Sequence, residues 1–165
     1  MDVIIIGIIC YLLGSIPFGF ILTKIFLKKD IRDIGSGNIG ATNALRTGNK
    51  FIGYSTLFFD IIKAVIPVIF IKIYFSELLF IGSLCAFLGH VFPIWLKFKG
   101  GKGVATYLGI LFAINIYLGL IFILTWLITF GLSRFSSLSS LIASISIPAY
   151  LLILLFATLE FYTFA

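Results

Sequence analysis

The sequence predicts an all-α polytopic membrane protein, a bundle of about six transmembrane helices with glycine-rich loops on the cytoplasmic side. Three observations predict it. Apolar residues make up 61% of the 165 and charged residues only 11%, with a mean hydropathy of +1.23, whereas soluble domains carry about 25% charged residues. The apolar residues gather into segments at roughly 3–23, 51–75, 78–96, 104–132 and 138–159, all but 104–132 of about the length a bilayer core needs. The basic residues fall mainly in the gaps between these segments, where membrane topology puts them.

The first segment opens with Asp2 instead of a basic stretch and stays apolar to about Thr23. It therefore reads as a retained helix and not a cleavable signal. The segment 104–132 is too long for one upright span and too short for two full ones. A hairpin of two short helices turning near Asn115–Gly119 is one solution, and a single strongly tilted helix is the other. Charge favours the hairpin. It puts Arg134 on the side that carries the connections 24–50 and 97–103, so that ten of the twelve basic residues share that side. The positive-inside rule makes it cytoplasmic and places the N-terminus outside, with Asp2, Lys72, Glu77 and Glu160 on the far side.

The same distribution excludes nucleic acid as the reason for the net charge of +6. Cys10 and Cys85 lie inside apolar runs and read as small core residues. With the one histidine they make no zinc site. No repeat or soluble domain is visible, so any function must be built from the loops and the helix ends around them.

Three loops carry candidate chemistry. In GSGNIGATN (Gly35–Asn43), glycines allow positive φ and turn successive N–H groups toward an anion. Ser36, Thr42, Asn38 and Asn43 add neutral donors, and Arg46 adds a fork suited to phosphate. An ordinary polar turn facing anionic lipid is the plain alternative. In KFKGGKGVAT (Lys97–Thr106), three lysines surround Gly100, Gly101 and Gly103 just before an apolar helix, whose N-terminus favours anions beside Lys102. This is not a nucleotide loop, because Lys102 is followed by Gly103 and not by Ser or Thr. Its plain alternative is a lipid-facing basic patch. The two loops can hold two phosphates, or one phosphate from both sides. SRFSSLSS (Ser133–Ser140) supplies Arg134 and five hydroxyls at a helix end, as a third wall of donors or as simple helix caps.

Two other features stand apart. His90 ends the third segment in GHVFP and reads as a polar helix end. A catalytic His-x4-Asp pair is absent, since position 95 is Trp95. Asp60 and Lys63, three apart inside a span, share a helix face and read as a structural ion pair.

The stretches LLGSIPFG (Leu12–Gly19), DIRDIGSGNIGATNALR (Asp30–Arg46), FDIIKA (Phe59–Ala64), GHVFPIWLKFKGGKGVAT (Gly89–Thr106) and SRFSSLSS resemble, in order and spacing, the bacterial membrane-bound acyl-phosphate:glycerol-3-phosphate acyltransferase family. The resemblance implies transfer of an acyl chain from acyl phosphate to the 1-hydroxyl of glycerol 3-phosphate, giving lysophosphatidate and inorganic phosphate. It implies no metal or other cofactor, a multi-pass location in the bacterial inner membrane, and a site open to the cytoplasm. The partners it implies are the two substrates, membrane lipids and the soluble enzyme that makes acyl phosphate.

Carried over residue by residue, Ser36, Arg46 and Lys102 become catalytic positions. Gly35, Gly37, Asn38, Thr42, Asn43, His90, Gly100, Gly101, Gly103 and Ser137 become substrate-binding ones. The substrate's own phosphate is the expected proton acceptor, and His90 is the one protein alternative. The family adds a seventh helix with an Arg-His-x-x-Asn motif. This sequence stops at Ala165 after its sixth span, so one integral-membrane domain over 1–165 without that helix is expected, inserting but with little or no acyltransferase activity. A phosphorylated-solute transporter is the rival class, but the inverted repeats it would show are not found. A non-catalytic scaffold would leave FKGGKGVAT without a use.

Overall fold

The computed structural model describes residues 2–164, and the side chains through 159. Expectations about Glu160, and about the C-terminus beyond it, fall outside the described residues. The described chain is helical throughout, with no strand, and it forms two compact units, residues up to Ile114 and residues from Asn115 onward.

In the first unit, α1 (Asp2–Gly14) and α2 (Phe18–Leu27) replace the single first helix expected from the sequence. Pro17 has no N–H to continue the ladder and disfavours helical geometry at Ile16, so the chain breaks over Ser15–Pro17. The break is stapled from outside. Trp95 Nε1 donates to Ser15 Oγ at 2.8 Å, Tyr11 Oη donates to the Phe92 carbonyl at 2.6 Å, and Lys63 Nζ donates to the Ile16 carbonyl at 2.7 Å. A short helix α3 (Ala41–Leu45) follows the first polar loop. The long α4 (Lys50–Tyr74) is capped by Asn49, whose side chain accepts from Ile52 N. A 3-10 turn leads into α5 (Leu79–Val91), and the glycine–lysine loop leads into α6 (Val104–Ile114).

Helix α1 packs on α5 through Ile6, Cys10 and Ala86, with Ile71 of α4 and Leu78. Cys10 is buried there and Cys85 lies against the same cluster, both as free thiols, so they are core residues as the sequence predicted. Helix α4 packs on α6 through Ala64, Val68, Ile110 and Ala113.

The second unit is the helix pair α7 (Ile116–Ser133) and α8 (Ser136–Phe164), tied by Trp126 Nε1 donating to Ser140 Oγ at 3.1 Å. The continuous helix considered for 104–132 does not form. Asn115 is extended, its side chain accepts from Tyr117 N to start α7, and Lys72 Nζ donates to the Ala113 and Ile114 carbonyls that end α6. These caps satisfy two of the orphan carbonyls that end α6 and one of the orphan N–H groups that start α7.

Among the described residues, four helical segments, Asp2–Leu27, Ser76–Leu96, Ile116–Ser133 and Ser136–Leu159, are long and apolar enough to cross a membrane. The outer faces are apolar. Ile4 is 70% exposed, Phe80 77% and Ile153 68%. Apolar surface on this scale belongs in lipid.

Candidate active site

The first loop is organised by one buried side chain. Asn43 Oδ1 accepts from Ser36 N at 2.9 Å, and its Nδ2 faces the carbonyls of Ile31, Ile34 and Asn38 at 3.1, 2.9 and 2.8 Å. An amide nitrogen has two protons, so three acceptors saturate it. The expectation that Asn43 offers donors to a ligand is therefore corrected: its amide clasps the loop. Asn38 is likewise used locally, its Oδ1 accepting from Gly40 N at 2.9 Å.

Gly35 and Gly37 have φ of +54° and +71°, as the sequence implied. The nest they form is only partly open, because Gly37 N donates to Ile34 O and Ser36 N to Asn43. Gly35 N has no protein acceptor among the described residues. The Ser36 side chain is exposed, and the Arg46 stem lies directly against Gly35, bringing serine, glycine N–H and guanidinium together. Thr42 is exposed on α3 and makes its own contact. Beside Arg46 is a groove of about 270 Å³ lined by Leu27, Lys29, Ile34, Arg46 and Thr47. At the loop's start Asp30 caps a 3-10 turn and pairs with Arg32 at 2.6 Å. That hydrogen-bonded guanidinium holds its carboxyl below the usual carboxylate range.

The second loop is organised by the end of the helix before it. Gly100 N donates to Val91 O and Gly101 N to His90 O, each at 3.1 Å. These two N–H groups are thus taken up by protein, contrary to the expectation that they face phosphate. Gly103, at φ +78°, turns the chain against the Phe87 ring and into α6, and its N–H has no protein acceptor among the described residues. The N-terminal turn of α6 starts at Val104, one residue after it, so unpaired helical N–H groups stand beside the exposed Lys102. Lys97 and Lys99 are also exposed.

The two loops occupy one end of the first unit. Leu96, next to Lys97, shares a buried cluster with Ile31, Ile39, Ala44 and Ile52.

Behind the second loop lies a polar cluster that the sequence reading saw only in part. Lys63 Nζ is 2.8 Å from Asp60 Oδ1, confirming the ion pair, with both side chains 2% exposed. Its third neighbour is His90 Nδ1 at 2.9 Å. The expectation that His90 is an interfacial helix end is corrected, since the ring is 3% exposed. A Cβ at Gly101 would fall on Nε2 of that ring. One cue was present in the sequence, a lone histidine beside a glycine loop, but contacts 27 residues apart have no local signature.

The third loop belongs to the second unit. Arg134 ends α7 in a left-handed conformation. Of the five hydroxyls, Ser133 donates to Thr129 O, Ser139 to Phe135 O and Ser140 to Ser136 O. The wall of donors expected there is mostly helix back-bonding. Ser137 is exposed on the first turn of α8, and both it and Ser136 make further contacts.

The chain has close relatives. The family model described as Glycerol-3-phosphate acyltransferase matches residues 4–165. A glycerol-3-phosphate acyltransferase of Pelagibacter ubique (strain HTCC1062) is 69% identical over 153 residues, covering 93% of this chain and 80% of that protein. One from Bartonella henselae is 49% identical over 150 residues, covering 88% and 71%. Two crystal structures of PlsY (YgiH), described as an integral membrane glycerol 3-phosphate acyltransferase, are similar at 40% identity. Its glycerol 3-phosphate form gives a TM-score of 0.88 and its lysophosphatidic acid form 0.85, covering 93% of this chain and 78% and 77% of theirs. A family-model match over residues 4–165, with relatives 69% and 49% identical along most of the sequence, places this integral membrane chain in the glycerol-3-phosphate acyltransferase family.

Proposed function

We propose that the acyl donor is acyl phosphate and that the products are lysophosphatidate and inorganic phosphate. The observation that carries this reading is the convergence of two basic glycine loops on one apolar cluster, with Arg46 and Lys102 both exposed there. Both substrates bear a phosphate and one a fatty tail, so their site belongs where basic loops meet lipid-facing helices. The similar structures, in glycerol 3-phosphate and lysophosphatidic acid forms, support the acceptor and the product.

Acyl phosphate is a mixed anhydride. The 1-hydroxyl oxygen of glycerol 3-phosphate attacks the acyl carbon, the bond from that carbon to the phosphate oxygen breaks, and phosphate leaves with the electron pair. The hydroxyl proton passes to a phosphate oxygen. The protein's task is then positioning and charge stabilisation. Arg46 offers a bidentate fork to one phosphate, with Ser36 and Gly35 N–H beside it. Lys102, Gly103 N–H and the first turn of α6 offer charge and donors to the other. Ser137 is proposed from the resemblance alone. By the positive-inside rule these loops face the cytoplasm of the inner membrane and the N-terminus faces outward. A soluble enzyme on that side would deliver the acyl phosphate.

The test is lysophosphatidate formation from labelled glycerol 3-phosphate in membranes, with acyl phosphate, acyl-CoA or acyl carrier protein as donor. Acyl phosphate alone should serve. Ser36→Ala, Arg46→Ala and Lys102→Ala should each lower the rate by about 10²–10³, the usual effect of removing a preorganised donor. Normal turnover by Lys102→Ala, or turnover with acyl-CoA, would overturn the assignment.

A further inference from the structure

The buried Asp60–Lys63–His90 cluster has no part in the chemistry above, yet it touches the glycine–lysine loop. An ammonium has three donor protons and no acceptor. Lys63 Nζ has three acceptors at hydrogen-bonding or ion-pair distance: Ile16 O at 2.7 Å, Asp60 Oδ1 at 2.8 Å and His90 Nδ1 at 2.9 Å. The ammonium also stands over the Phe18 ring, 5.9 Å from its centroid, a cation–π contact. Asp60 Oδ1 is 3.7 Å from His90 Nδ1, outside hydrogen-bond range, so Lys63 is the link between them. A proton on Nδ1 would point at the ammonium. The arrangement therefore requires Nδ1 as acceptor, which puts the ring's one proton on Nε2. That nitrogen lies against Gly101, whose own N–H is bonded to the His90 carbonyl.

We propose that Lys63 and Asp60 are positioning residues that hold His90 as the neutral Nε2–H tautomer in one ring orientation, so that the ring packs behind Gly101 and fixes the glycine–lysine loop for the phosphate of the acyl donor. This rests on the assignment of that loop to acyl phosphate. It also removes His90 as a candidate base, because its one basic nitrogen is occupied by an ammonium.

His90 is the only histidine in the sequence, so histidine labelled with nitrogen-15 reports on it alone when the purification tag contains no histidine. In bilayers, the wild-type protein should show an unprotonated Nδ1 and a protonated Nε2. The double variant Asp60→Asn/Lys63→Met, which removes both buried charges together and so avoids stranding one of them, should show mixed tautomers. Its KM for acyl phosphate should rise roughly tenfold as the loop loses its support, with a smaller change in kcat and in KM for glycerol 3-phosphate. His90→Gln, whose amide can reach the Nε2 position, should stay near the wild-type KM. His90→Asn, which can reach only the Nδ1 position, should behave like the double variant. An imidazolium or an Nδ1–H tautomer in the wild type would overturn the proposal. So would an unchanged acyl-phosphate KM in a double variant that inserts normally. Failure of the wild type to use acyl phosphate would instead overturn the donor assignment, and would leave the tautomer result standing.

Discussion

The two glycine loops of the first unit look alike in sequence and are held in opposite ways. GSGNIGATN is clasped from within, by the side chain of Asn43 reaching Ser36, Ile31, Ile34 and Asn38. KFKGGKG is hung from without, on the carbonyls of Val91 and His90, with the His90 ring packed against Gly101. The difference shows what glycine richness leaves undetermined. It permits N–H groups to converge, but each loop consumes some of them in its own folding. Gly35 in the first loop, and Gly103 with the α6 turn in the second, are what remain.

The largest expected effect tests the external suspension. Gly101→Ala places a methyl group on His90 Nε2, so either the ring or the loop must move. Displacement of about 1 Å near a reacting centre can cost about 10²-fold in rate. We expect a loss of that size in kcat/KM for acyl phosphate, with helical content and membrane insertion unchanged. Near-normal kinetics would mean that the loop's position does not depend on His90.

The next effect tests the internal clasp. Asn43→Asp keeps the acceptor for Ser36 N but removes the donors to three carbonyls. Unsatisfied buried groups cost about 1–3 kcal/mol each, so thermal stability should fall by that order and the loop should become sensitive to protease. Stability equal to wild type would show that the carbonyls find other partners and that the clasp is dispensable.

The smallest effect lies at the entrance to the first loop. The Arg32 guanidinium depresses the Asp30 carboxyl, so the pair's contribution is present above the unfolded carboxylate pKa and lost as pH falls through the lower folded value. The pair is exposed, with side chains 42% and 21% accessible, and exposed pairs contribute about 0.2–1 kcal/mol. Arg32→Gln should lower the melting temperature slightly at neutral pH and leave it unchanged in acid below that folded value. An equal shift at both pH values would point to lost packing on Phe20 instead, over which the guanidinium sits at 5.2 Å.

Much of this was legible in the sequence because it depends on composition along the chain. Hydropathy located the helical segments, and clustered charge located the loops. The i,i+3 spacing of Asp60 and Lys63 was enough to pair them. What stayed hidden depends on distance through space. LLGSIPFG contained the cue for the first helix break in Pro17, but apolarity ran straight across it. Asn43 reads as a ligand donor until the fold shows carbonyls from residues up to twelve positions away converging on it. His90 reads as a helix end until α4 brings Lys63 to its ring. In each case the sequence displayed a polar group and only the tertiary structure disclosed its acceptor.

The interruption at Ser15–Pro17 also sets an order of events during synthesis. It lies inside the first candidate span, where lipid offers no hydrogen bonds and irregular backbone is tolerated only under protein cover. The Ile16 carbonyl obtains its cover from Lys63, 47 residues later, and Tyr11 finds the Phe92 carbonyl 81 residues later. A nascent chain emerges N-terminus first, so α1 and α2 reach the membrane well before either partner exists. The Asp2–Leu27 span is therefore made before the partners that complete it and settles only once they arrive. Until α5 and its following turn are complete, it must stay sheltered by the insertion machinery or by its own transient contacts.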